Sequence, residues 1–62
     1  MTRSYAELAD IFTGMANAKA IWLREHGPKR GEMSRMQIQR EMEACLQIAE
    51  WLRRAAKRDA AA

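Results

Sequence analysis

Apolar residues recur along this chain in two blocks, each with a helical period, and a polar break divides them. In the first block Leu8, Met15 and Trp22 return every seven residues, with Ile11 and Ala18 on one side and Tyr5 and Phe12 on the other. In the second, Ile38, Cys45 and Leu52 return at the same spacing, with Met42, Ala49 and Ala56 on one side and Ile48 and Ala55 on the other. Seven residues is close to two helical turns, so each set forms a stripe along one helix. The stripes are wide, of the kind found in bundles, rather than a narrow coiled-coil seam.

The break runs from His26 to Ser34 and holds Gly27, Pro28 and Gly31. Ser4 followed by Glu7 forms a capping-box signature for the first helix. Its end is set by His26 in the last turn, Gly27 in a left-handed C′ position and Pro28, which cannot continue the helix. Ser34 followed by Gln37 forms a second capping box, with an earlier start near Gly31 as the alternative. The pattern predicts a helix over about 5–26, a turn over about 27–34 and a helix over about 35–58, within one domain spanning residues 1–62. Ala60, Ala61 and Ala62 are expected to fray.

A short turn makes the two helices antiparallel neighbours. With the turn centred near Arg30, facing residues have numbers that sum to about 60. This register pairs Leu8 with Leu52, Met15 with Cys45 and Trp22 with Ile38, and it sets Ala18 against Met42 and Ile11 against Ala49. It also places Lys19 opposite Glu41, two charges that intrude at the stripe edges. A two-helix hairpin cannot enclose both wide stripes. The expected fold is therefore an all-α hairpin that dimerises into a four-helix bundle.

Composition points the same way. The chain has 62 residues and a single cysteine and histidine. A domain this small has a marginal core and normally needs disulfides, a metal or association. Cys45 alone cannot form an internal disulfide, and Cys45 with His26 supplies too few ligands for a zinc site, so association remains. No metal or cofactor is expected. No stretch approaches the ~20 apolar residues of a membrane span, and no leader pattern occurs in the first 30 residues. A lone thiol fits a cytoplasmic location.

The net charge is +3 and unevenly placed. Lys29, Arg30, Arg35 and Arg40 cluster around the break, Glu41, Glu43 and Glu50 follow, and Arg53, Arg54, Lys57 and Arg58 crowd the second helix's end. That last group complements the helix dipole, and the same residues could contact phosphates. Trp51 lies about 120° from the second stripe's spine, on a face shared with Gln47, Arg54 and Arg58. An aromatic among arginines suits a protein interface or a stacked nucleic-acid base. The candidate contact residues are thus Trp51, Arg54, Lys57 and Arg58, with packing of Trp51 against a second copy as the primary reading. Met33 and Met36 lie off the stripe and are read as turn packing, with a partner-covered patch as the alternative.

His26 and Ser34 could supply acid–base and nucleophilic chemistry, but nothing in the sequence orients them and a hairpin offers no enclosed pocket. Cys45 sits mid-spine and is read as a small buried hydrophobe. The expected role is a non-catalytic, self-associating adaptor or regulator acting through protein contacts, with homodimers and a possible second protein as partners.

The alternative is a nucleic-acid-binding regulator, through the basic helix end or a motif in residues 5–26. There, "YAELADIFTGMANAKAIWLREHG" resembles a helix-turn-helix, with Leu8-Ala9 in the first helix, Gly14 in the turn and Met15, Ala20 and Leu23 at apolar positions. The resemblance implies that Asn17 and Lys19 face bases or phosphates. Gly14 follows Ala9 by five residues, one more than that motif uses. The apolar stripe runs unbroken through Gly14, which predicts a single helix.

Overall fold

The computed structural model describes residues 2–61. It is all-helical: α1 spans Tyr5–Glu25, a short 3-10 turn spans Gly27–Lys29, and α2 spans Glu32–Ala61, with no strand among the described residues. The helices pack antiparallel into a rod of 48 × 17 × 17 Å. Its length is what a 30-residue helix requires at about 1.5 Å per residue.

Ser4 caps α1 as its chemistry dictates. Its backbone is extended and its hydroxyl oxygen accepts from the Glu7 N–H at 3.1 Å. The reciprocal half of the box is not made, because the Glu7 carboxylate accepts from the Arg3 guanidinium instead. α1 then runs without interruption through Thr13 and Gly14. The helix-turn-helix reading of residues 5–26 is therefore overturned. The Thr13 hydroxyl donates to the Ala9 carbonyl at 2.9 Å, as expected of a threonine inside a helix.

The turn differs from expectation in two ways. Gly27 is not left-handed, since no described residue has a positive φ. His26 stays near the right-handed region and its N–H still donates to the Trp22 carbonyl at 2.7 Å. The chain then passes into a 3-10 turn that admits Pro28 at its start. α2 also begins before Ser34, at the earlier start near Gly31 that the sequence offers as the alternative. Arg35 N–H donates to the Gly31 carbonyl at 3.2 Å, which makes Gly31 the cap position and puts Ser34 inside the first turn. The earlier start brings Glu32 to the positive end of the helix dipole. It also lets Arg35 reach back, donating to the carbonyls of Gly27 at 3.4 Å and Arg30 at 3.3 Å. Ala60 and Ala61 remain helical, and Ala62 lies outside the described residues.

The seam between the helices is built from small residues. Ala9 and Ala49 are fully buried, and Ala16 and Cys45 nearly so. The helices thus approach over the residues that let their backbones come closest, since side-chain size at the contact sets the interaxial distance. The expected spine is corrected accordingly. Leu8, Trp22, Ile38 and Leu52 are half-buried beside the seam, whereas Met15 and Ile11 remain 44% and 43% exposed. The register itself stands: Lys19 Nζ donates to Glu41 Oε1 at 2.9 Å, and those numbers sum to 60.

Candidate protein-interaction face

The Lys19–Glu41 pair marks one edge of the seam. Stepping by three and four residues from Lys19, the same edge of α1 carries Leu8, Phe12, Met15 and Trp22, with Ile11 and Ala18 just outside. Stepping likewise from Glu41, α2 carries Ala44, Ile48, Trp51 and Ala55. Because Lys19 and Glu41 are bonded, these rows run side by side on one side of the rod. Near their turn end, Met15, Ala18, Lys19, Trp22 and Ile38 line an open notch between the helices.

The opposite edge is marked by Arg53, which donates to the Thr13 hydroxyl at 2.6 Å. Its neighbours by the same spacing are Asp10, Asn17 and Arg24 on α1 and Gln39, Glu50 and Lys57 on α2, with Ile21 and Leu46 as the apolar exceptions. One side of the hairpin is thus largely apolar and the other largely polar.

The apolar side is poorly covered. No large side chain is fully buried among the described residues, and Trp51 is 57% exposed. The chain exposes 5016 Å², whereas a compact monomer of 7.1 kDa exposes about 4,100 Å² by mass scaling. The difference of roughly 900 Å² is close to the ~800 Å² that each partner contributes to a standard protein–protein interface.

The sequence-derived contact residues do not form one cluster. At about 100° per residue, Arg58 lies about 20° and Arg54 about 60° from Trp51 around α2, but Lys57 lies about 120° away, toward the polar side. Arg54 is also engaged, donating to Glu50 Oε1 at 2.6 Å. Among the basic residues of this end, Arg53 joins the two helices and Arg54 holds its own helix, an assignment the sequence does not disclose.

Met33 is 85% and Met36 57% exposed, so the expected turn packing is overturned. Both lie on the side of α2 turned away from the seam. Their surface joins Ser34, Gln37, Arg40, Glu41 and Ala44 along α2. Cys45 is a buried free thiol in the seam. The His26 ring lies 6.0 Å from the Trp22 ring at a tilt of 47°. The Ser34 hydroxyl sits in the first turn of α2, and no hydrogen bond joins it to His26 among the described residues.

The Lys19–Glu41 contact also sets the electrostatics of the edge. The Lys19 ammonium bonded to Glu41, helped by Gln37, whose amide donates to the second carboxylate oxygen at 3.4 Å, holds the Glu41 carboxyl below its ordinary range. No helix is long and apolar enough to cross a membrane among the described residues.

No family model, curated protein or solved structure matches the chain.

Proposed function

We propose that this chain is a small, non-catalytic, self-associating helical adaptor or regulator that works through protein–protein contacts. The observation that carries this reading is the one-sided apolar face, with Ile11, Met15 and Trp51 each more than two-fifths exposed and no large side chain fully buried among the described residues. Exposed apolar side chains gathered on one side of a hairpin mark an interaction site. Tryptophan on such a face is a favoured anchor.

Trp51→Ala is the direct test. The adaptor reading expects weaker self-association, with little dependence on salt, because the lost contact is apolar. Unchanged self-association would contradict it.

A second reading draws on one feature, the exposed Trp51 with Arg58 beside it. It has this end of α2 bind single-stranded nucleic acid, Trp51 stacking a base and Arg54, Lys57 and Arg58 meeting phosphates. Trp51→Ala would then cost about 1–3 kcal/mol of binding to single-stranded DNA or RNA. Lys57→Ala would reduce the slope of log affinity against log salt by about 1. Absence of binding to either nucleic acid at low salt would dismiss this reading.

A further inference from the structure

We propose that the apolar face is covered by a second copy of this chain, related by a two-fold axis parallel to the helices, so that α1 of each copy lies on α2 of the other. This rests on the self-association reading above and adds the face, the axis and the helix pairing.

The chain carries roughly 900 Å² more surface than a compact chain of its mass, about one partner's share of a standard interface, and the rim charges described below select a second copy as the occupant. The two rows then fix the arrangement. With the register set by Lys19 and Glu41, a residue of α1 is level with the α2 residue whose number completes a sum of 60. The apolar row of α2, Ala44 to Ala55, is therefore level with Tyr5 to Met15 of α1. Rotation about an axis parallel to the helices leaves every level unchanged. Leu8 then meets Trp51 and Ala55 of the partner subunit, Ile11 meets the partner subunit's Ile48, and Met15 meets the partner subunit's Ala44. Leu8 against Ala55 and Met15 against Ala44 set bulky side chains on small ones, the interdigitation that helical packing rewards.

A two-fold axis perpendicular to the helices reverses the levels. With full overlap it would set α1 on α1 and α2 on α2, with Trp51 over Gln37 and Arg40 of the partner subunit. That covers the exposed tryptophan of α2 with polar groups, which associating surfaces avoid at their centres.

Charge on the outer rims agrees with the parallel axis. Glu7 lies on the outer edge of α1 and is level with Arg54 on the outer edge of α2. Within one chain these edges face away from each other across both helices. In the proposed dimer Glu7 is adjacent to Arg54 of the partner subunit, and symmetry makes the contact twice. The partners they hold in the single chain, Arg3 and Glu50, are exposed neighbours four residues away that can share or exchange them.

The test uses two 62-residue chains in a Cys45→Ala background, one with Glu7→Cys and the other with Arg54→Cys, mixed, oxidised and resolved by mass spectrometry alongside sedimentation. The expected product is the mixed disulfide joining the two chains. A dimer that gives only Glu7→Cys homodisulfides, or no disulfide at all, overturns the pairing while leaving self-association intact. A monomer at every concentration overturns both.

Charge exchange with Cys45 retained provides an independent check. Glu7→Arg should weaken association by on the order of tenfold, and adding Arg54→Glu should restore most of the loss. Failure of the second change to restore it overturns the pairing.

Discussion

Lys19 and Glu41, twenty-two positions apart in the chain, are joined by an ammonium–carboxylate hydrogen bond of 2.9 Å at the edge of the helix seam. This contact fixes the register of the hairpin and marks the border of its apolar face. Lys19→Glu or Glu41→Lys alone sets like charges against each other and should lower the melting temperature. The double exchange should recover most of that loss. Recovery failing in the exchanged protein would show that the pair does not set the register.

The same pair gives a pH dependence with a definite sign. Lys19 and Gln37 hold the folded-state pKa of Glu41 below its ordinary value. A depressed carboxylate stabilises the fold above its unfolded pKa of about 4.3 and loses that contribution as pH falls through the lower folded value. The stability difference between the parent chain and Glu41→Gln should therefore be present at neutral pH and shrink in acid. A difference that grows on acidification would contradict the assignment.

Gly14 sits in the middle of α1, and a methyl group built there meets nothing within 4 Å. Its φ is not positive, so alanine fits the backbone. Gly14→Ala should stabilise the protein by about 0.5–1 kcal/mol in denaturant unfolding. Destabilisation would mean that a partner approaches the helix at this position.

The seam should resist enlargement. Ala49 is fully buried in the seam between the helices. Ala49→Leu should cost about 1–3 kcal/mol through overpacking. Ile21→Ala, on the other side of α1 and 46% exposed, should change stability little, since isolated exposed apolar groups contribute weakly. Equal losses at the two sites would contradict the assigned seam.

Much of this hairpin is readable from the sequence because local chemistry acts alone. Ser4 caps α1 since its hydroxyl is the right acceptor at the right place, and the Lys19–Glu41 contact follows from helix period and turn position. The choice of seam is not local. A stripe broader than 100° states which side of a helix is apolar, not which part of it turns to a given neighbour. Packing over Ala9, Ala16, Cys45 and Ala49 leaves Ile11 and Met15 outside. The turn escaped for a similar reason. Gly31 and Ser34 are both acceptable caps, and the earlier start brings with it Arg35 reaching the carbonyls of Gly27 and Arg30, a side-chain contact that periodicity does not encode. At the candidate site, the position of Trp51 off the spine, on the face of Arg58, was legible from spacing. The diversion of Arg53 to Thr13 across the hairpin was not.

Concentration-dependent melting tests the central claim, that folding is completed by a second copy on the apolar face. Circular dichroism melts would be recorded over about a hundredfold range of protein concentration, with the mass determined by sedimentation at each end. Mass action requires the melting temperature of an obligate dimer to rise with concentration. The expected result is that rise, together with a species of twice the 7.1 kDa chain mass. A constant melting temperature from a species of 7.1 kDa would contradict it.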